Sequence, residues 1–287
     1  MRGSGASSAS TRVVPVKLRG IRARLLEAWA AAWLGVKIYF RYPAWIVADI
    51  VTTPIWLIVF ILPILLFLPR DMWGNPETLN FFFWAMVMWG IVSSGFWSFG
   101  NTIRWEQEAG TIEQLFLTNA SRAVVFARRI FSNLITITID TAYTAVVFTL
   151  LFEVPLYFSN PLGVAAALLV GLLSAAGFGL TYGALVLRFK NVGPLNNVLQ
   201  FIILGLCGIF VPITVLPEPL RAVAMALPYT YVADLVRHEA MGAPTLLPAP
   251  LEWGVTLALT AVFLAVGVYM LRRVEENLKR RGELATY

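Results

Sequence analysis

Long apolar blocks dominate the sequence and restrict the fold to one class. They lie at 43–68, 80–103, 130–152, 162–187, 192–216 and 251–271, and each is close to the ~20 residues that a helix needs to cross a bilayer. Backbone polar groups inside a bilayer must be satisfied within the segment itself, so each block is expected to be helical. The chain is therefore predicted to be an all-α membrane protein with six transmembrane helices.

The distribution of positive charge predicts the orientation. Charged residues make up only 13% of the 287 residues, about half the share that a soluble domain carries. Of the 22 Lys and Arg residues, 19 lie in segments 1–42, 104–129, 188–190 and 272–287. The positive-inside rule places these segments and both termini in the cytoplasm. The chain is expected to be a multi-pass protein of the plasma membrane, and its net charge of +6 indicates contact with anionic lipid rather than nucleic acid.

The segments that flank the six-helix domain (43–271) differ in composition. Residues 1–15 are rich in Ser, Ala and Gly and are predicted to be disordered, while 272–287 is predicted to be a charged cytoplasmic tail. Residues 16–42 carry tryptophans and basic residues at helical spacing, which predicts an amphipathic helix that lies on the membrane surface. An extension of the first span is the alternative.

The external connection from Leu216 to Pro250 is apolar but is broken by six prolines. Its pieces 220–227 and 229–241 are too short to cross the membrane, and they predict amphipathic, re-entrant helices in the outer leaflet. Irregular backbone at that depth must be covered by protein or line a cavity. The segment is therefore expected to form a lid over an exit path, with a loosely packed loop as the alternative.

A charged loop between the second and third spans carries the most specific local pattern. Gly110 can end the helix that continues from the second span. Thr111 and Gln114 fit a capping box, with Glu113 in the favourable first turn of a new helix over 112–118. The pattern predicts a short helix across the cytoplasmic mouth of the protein, apolar on one side and acidic on the other.

The run EQEAGTIEQL at 106–115 resembles the cytoplasmic motif of type-2 ABC exporter permeases, and the six spans and the Pro-rich external segment resemble that family as well. The resemblance implies that the short helix is a coupling helix, which docks on a separate ABC ATPase subunit. The docking residues that it implies are Glu106, Glu108, Gly110, Thr111, Glu113 and Leu115. It further implies that the permease works as a homodimer with two ATPase copies.

Three polar residues within the spans are candidates for the substrate path. Asp140 lies in the middle of the third span, where an ionisable group is costly and suggests function. It could face the substrate path or a dimer interface, or be a structural carboxyl group. Asn196 and Gln200 share one face of the fifth span and could line a cavity or form interhelical hydrogen bonds, of which packing is the commoner use.

The sequence lacks the patterns that indicate nucleotide binding, metal binding or catalysis. The sequence contains no G-x-x-x-x-G-K-[ST] pattern, so ATP and Mg²⁺ are expected only on the partner ATPase. Cys207 is the single cysteine, and no metal site or enzyme constellation is indicated. The sequence favours the permease of an exporter for an amphipathic, drug-like or lipid-like substrate. The alternative is an ATP-independent secondary transporter or channel with Asp140 as its ion or proton site.

Overall fold

Helices account for the regular structure of the chain in the computed structural model, which describes residues 29, 33, 37, 40, 41, 43–100, 122–189 and 193–281. The longer helices are α1 (Pro43–Phe67), α2 (Pro76–Ser93), α3 (Arg122–Phe152), α4 (Pro161–Phe189), α5 (Gly193–Leu206), α6 (Glu218–Met225), α7 (Pro228–Met241) and α8 (Ala249–Arg281). A π-helical stretch, Ser94–Gly100, extends α2, and 3₁₀ turns lie at Arg70–Met72 and Ile213–Val215.

Four helical segments in the described residues are long and apolar enough to cross a membrane. They are Pro76–Ser98, Ser132–Phe152, Pro161–Val186 and Ala249–Val274, and two shorter apolar segments occur at Pro54–Phe67 and Leu195–Leu206. An all-α membrane architecture is therefore confirmed for this part of the chain. The count of six complete spans stays a prediction.

The prediction of one continuous fifth span over 192–216 is wrong. Helix α5 ends at Leu206 after 14 residues, and the chain then turns irregularly before a 3₁₀ turn begins at Ile213. Gly208 has φ +71°, a conformation that residues with a Cβ avoid, and Pro212 has no backbone N–H to continue a helix. The break is thus encoded locally in the sequence.

The external connection forms two helices, α6 and α7, close to the predicted pieces 220–227 and 229–241. Most residues of α7, however, are buried against α4, α8 and α2. The helix therefore lacks the broad exposed side of an amphipathic surface helix. Its depth in the membrane stays a prediction. The predicted C-terminal tail, 272–287, begins within α8, because this helix continues through Arg281.

The hydrophobic core lies where α2, α4 and α7 meet. Its largest fully buried side chains include Phe83, Trp84 and Tyr229. Asn80, also buried, donates from Nδ2 to the carbonyls of Pro76 (2.8 Å) and Pro155 (3.0 Å) and accepts from the N–H of Tyr157 (2.8 Å). One amide side chain therefore holds the connection between α3 and α4 against α2.

Helices α4 and α8 pack closely because glycines remove the side chains between them. A Cβ on Gly177 would lie 2.9 Å from the backbone of Phe263 and Leu264, and one on Gly267 would lie 2.6 Å from the Gly177 carbonyl. Small residues allow this approach in membrane helix pairs. One turn away, the hydroxyls of Ser174 and Thr260 are 2.8 Å apart and join the same two helices.

We expect Gly177→Ala to destabilise the protein by about 1–3 kcal/mol, because the added methyl group meets backbone that cannot move away. Gly254→Ala is the matched control, since a Cβ at Gly254 meets nothing within 4 Å. Thermal unfolding followed by tryptophan fluorescence in detergent measures both. Equal melting of the two variants would contradict the packing described for α4 and α8.

Candidate functional site

The predicted coupling residues Glu106, Glu108, Gly110, Thr111, Glu113 and Leu115 lie in 101–121, outside the described residues. Most of 16–42 also lies outside them. Within 16–42 the structure describes Trp29, Trp33, Lys37, Phe40 and Arg41, all helical, with both tryptophans exposed. The coupling role and the surface helix stay predictions.

Asp140 is exposed on α3. Its span, Ser132–Phe152, is the least buried of the four in the structure, with 11% of its apolar window covered by the rest of the chain. An exposed carboxyl group in the middle of a span is costly against lipid, so this face is expected to meet water or protein. The structure does not group Asp140 with Asn196 and Gln200, which are buried on α5.

Gln200 joins α5 to the end of the second span. Its Oε1 accepts from the indole Nε1 of Trp97 at 2.8 Å, and its Nε2 donates to the hydroxyl of Ser93 at 3.0 Å. This is the interhelical hydrogen bonding that the sequence pattern allowed. A role of Gln200 in a substrate path stays a prediction.

Asn196 lies one helical turn before Gln200 and is only 1% exposed. Neither its Oδ1 nor its Nδ2 has a hydrogen-bond partner among the described residues. On α3, Asn133 accepts from Ser98 Oγ at 2.8 Å, and within the described part of the chain its Nδ2 also lacks a partner. Ser98 belongs to the π-helical stretch Ser94–Gly100, a kind of irregularity that is common at functional sites.

At the opposite end of α5, Arg237 satisfies the backbone where the helix breaks. Its Nη2 donates to the carbonyl of Gly208 and to that of Ile209, the latter at 2.8 Å. The guanidinium also lies over the ring of Phe81, 4.1 Å from its centroid. Burial lowers the pKa of Arg237 to about 10, against the opposing effect of Asp234, and the side chain stays charged at neutral pH.

Two carboxyl groups hold the loop that follows α7. Asp234 Oδ2 accepts from the N–H of Leu246 at 2.7 Å, and Glu252 Oε2 accepts from the N–H of Leu247 at 2.9 Å. Asp234 belongs to α7 and Glu252 to the first turn of α8. Consecutive amides of one loop are therefore held from two different helices.

A cavity of about 280 Å³ opens beside these groups. Its polar lining includes Thr214, Thr230, Asp234 and Arg237, and its apolar lining includes Phe81 and Leu246. The break in α5, helix α7 and the loop before α8 thus enclose one pocket with a fixed positive charge and a carboxyl group.

A cluster of five aromatic rings lies next to the break, at the junction of α1, α2 and α5. Trp89 is central: its ring centroid is 4.1 Å from that of Phe60, 5.8 Å from Phe201 and 6.0 Å from both Trp56 and Phe210. Trp56 and Phe201 leave about half of their surfaces exposed. This aromatic cluster forms an uncharged surface suited to apolar or aromatic groups.

Sequence reasoning missed Arg237, Asp234 and Glu252. A charged residue inside an apolar, proline-divided segment was the available signal for Arg237 and Asp234, since such a group needs a partner when the segment is buried. Glu252 is the second residue of the predicted span 251–271, where the same reasoning applies. No spacing pattern could have paired Glu252 with α7.

Comparison with known proteins gives one match and one negative result. A family model described as "ABC-2 type transporter" matches residues 27–239, which is most of the chain. The matched region includes the 106–115 motif, the break in α5 and Arg237. No curated protein matches the sequence.

We expect Arg237→Met to destabilise the protein by about 2–5 kcal/mol, because two buried carbonyls lose their donor. Arg221→Met is the matched control, since Arg221 is exposed on α6 and its loss should cost no more than about 0.5 kcal/mol. Thermal unfolding in detergent compares the variants. Should both melt at the wild-type temperature, Arg237 does not support the break.

Proposed function

The chain belongs to the ABC-2 type transporter family, and from this membership we propose that it is the permease subunit of an ATP-driven exporter. As a member of this family it is a transmembrane component of an ABC transporter. The observation that carries the finer proposal is the 106–115 motif, which falls within the matched region between two apolar spans.

The energy source in this proposal is a separate ABC ATPase, present in two copies, that holds ATP and Mg²⁺. Glu106, Glu108, Gly110, Thr111, Glu113 and Leu115 form the docking surface on the permease. ATP binding brings the ATPases together, and their movement pushes the 106–118 segment and shifts the spans so that a path opens outward. This requires that nucleotide favours one of two packings of the permease, because a ligand shifts an equilibrium only by its differential affinity.

The proposed substrate is amphipathic, drug-like or lipid-like, and leaves from the cytoplasm or the inner leaflet. The exposed part of the aromatic cluster (Trp56, Phe60, Trp89, Phe201 and Phe210) supports this class, because it offers apolar and π surface without charge. Asp140, Asn196 and Gln200 stay candidates for the substrate path.

The proposal places two copies of the permease against each other on the face formed by α1 and α5. Helix α5 is about 21 Å long at 1.5 Å per residue, shorter than the ~30 Å hydrocarbon core. With Gly193 near the cytoplasm, the irregular backbone 207–212 then lies at membrane depth, and Val211 is 45% exposed in one copy. Lipid does not tolerate exposed irregular backbone, which supports cover by a second copy or a water-filled path.

The proposed location is the plasma membrane, with both termini in the cytoplasm. The distribution of Lys and Arg supports this orientation, and it places the loop 243–248 and the cavity beside Arg237 on the outer side. The lipid bilayer and the ATPase are the proposed partners, and the composition supports no role for nucleic acid.

The docking surface can be tested by charge reversal. We expect Glu113→Arg to weaken co-purification of the ATPase roughly 10- to 100-fold, because a like charge in an interface costs several kcal/mol. Glu276→Arg, exposed on the cytoplasmic end of α8, is the control and should retain the ATPase. Titration of the tagged ATPase against permease in nanodiscs measures the affinity.

Equal ATPase binding by Glu113→Arg and Glu276→Arg would contradict the docking surface. Substrate flux that needs a proton gradient and no nucleotide, and that Asp140→Asn abolishes, would instead support the ATP-independent transporter.

The dimer face can be tested by cross-linking. In a Cys207→Ser background, Val198→Cys on the exposed side of α5 should form a disulfide between two copies in membranes, while Val262→Cys on the exposed side of α8 should not. Non-reducing electrophoresis after mild oxidation distinguishes them. Cross-linking at 262 and none at 198 would place the dimer interface on α8 instead.

A further inference from the structure

The carboxyl groups of Asp234 and Glu252 approach each other although they belong to different helices. They accept hydrogen bonds from the N–H groups of two adjacent residues, Leu246 and Leu247, which brings the two carboxyl groups close together. The loop amides use one oxygen of each group.

The burial of Glu252 restricts the charge that the two neighbouring carboxyl groups can carry. Glu252 is 0% exposed, and no described residue donates a hydrogen bond to its Oε1. An ionised carboxylate beside it can only accept, so two negative charges here would repel each other and leave Oε1 unsatisfied. One proton between the groups removes both problems, because the protonated carboxyl group then donates to its neighbour.

We propose that Asp234 and Glu252 form a proton-binding site that shares one proton and fastens α7 and the loop 243–248 to α8. A metal ion fits this site less well than a proton. The described residues contain no group of three or more His, Cys, Asp or Glu side chains that could hold one. Hard cations take more oxygen ligands than this pair offers. The site binds H⁺ as a hydrogen-bond donor between two acceptors.

Two neighbouring groups on α7, Arg237 and Tyr231, form their hydrogen bonds with other partners. Arg237, one turn from Asp234 on α7, is held by the carbonyls of Gly208 and Ile209. The hydroxyl of Tyr231, which also faces Glu252 from α7, donates to the Met225 carbonyl at 2.9 Å. Among the described residues near the pair, Arg237 provides the positive charge, and it can attract Asp234 once the proton leaves.

The two following residues of α7 have other partners. His238 Nδ1 is 2.8 Å from the Ala243 carbonyl. Glu239 accepts from Asn160 Nδ2 at 2.7 Å and from Trp253 Nε1 at 3.2 Å. Helix α8 contributes Glu252, which is one of the pair. The facing part of α4, in the described chain, contributes only uncharged side chains.

The site gives the closed arrangement of α7 and α8 a dependence on pH. If opening separates α7 from α8, water reaches both carboxyl groups and the shared proton is lost. Proton binding therefore favours the closed arrangement, which is most stable at low pH and loses that stabilisation as pH rises. The side from which the proton comes rests on the proposed orientation, whereas the shared proton itself does not.

Infrared spectroscopy tests the site directly on the full chain in nanodiscs. The wild type should show the C=O band of a protonated carboxylic acid at pH 7, and the band should disappear in both Asp234→Asn and Glu252→Gln. Glu218→Gln, an exposed carboxyl group on α6, is the control and should keep the band. A wild type without the band, or a band that survives both substitutions, would overturn the proposal.

Thermal unfolding gives a second readout that does not depend on assigning a band. Glu252→Gln carries an amide that can donate to Asp234 at any pH, so it mimics the protonated pair. We expect its Tm to match the wild type at pH 6 and to exceed it by about 2–4 °C at pH 9. A Glu252→Gln protein that melts below the wild type at both values would show that no shared proton stabilises the contact. Because neither readout involves an ATPase, failure here is separate from failure of the proposed function.

Discussion

The hydrogen bonds from Arg237 to the carbonyls of Gly208 and Ile209 are the interaction on which the packing of α5, α7 and α8 around the break depends. Helix α5 stops at Leu206, and the chain continues without regular hydrogen bonding. In a bilayer, water cannot satisfy the freed carbonyls. A buried guanidinium with several donors can satisfy two of them at once, and Phe81 covers its face.

The hydrogen bonds of Arg237 fix the position of α7 relative to α5. Arg237 extends from α7, so the helix cannot move away without exposing two carbonyls and a charge. Asp234, on the same helix, and Glu252, on α8, then hold the loop between α7 and α8 by its amides. These polar contacts stabilise the fold when all of them are made, and a partly broken set would leave buried groups unsatisfied.

The other end of α5 is held by a different arrangement. Gln200 binds the second span at Ser93 and Trp97, where α2 passes into a π-helical stretch. The same span leads into 101–121, which contains the proposed docking residues. Movement at the docking segment would therefore reach α5 through Gln200, and α5 ends at the break that Arg237 supports. Asn196 lies one turn before Gln200 and is buried without a partner in the part of the chain that the structure describes, so a second packing could satisfy it.

The sequence predicted the parts of the fold that follow from local pattern. Apolar length predicted the membrane helices, and proline spacing predicted the two short helices after the break. The continuous fifth span was wrong because apolar composition alone cannot show that Gly208 adopts a positive φ. Asp234, Glu252 and Arg237 were missed because their partners lie on other elements, and tertiary contact decides whether a charged residue is solvated or buried. The π-helical stretch has no composition of its own that distinguishes it from an α-helix.

The proposed function requires that nucleotide on a partner ATPase shifts the spans so that a path opens outward. Spin labels at Val211→Cys in a Cys207→Ser background would report the distance between two copies in the assembled complex by double electron–electron resonance. The account predicts one distance distribution without nucleotide and a second, displaced population when ATP is trapped. Identical distributions in both conditions, in a complex that hydrolyses ATP, would contradict it.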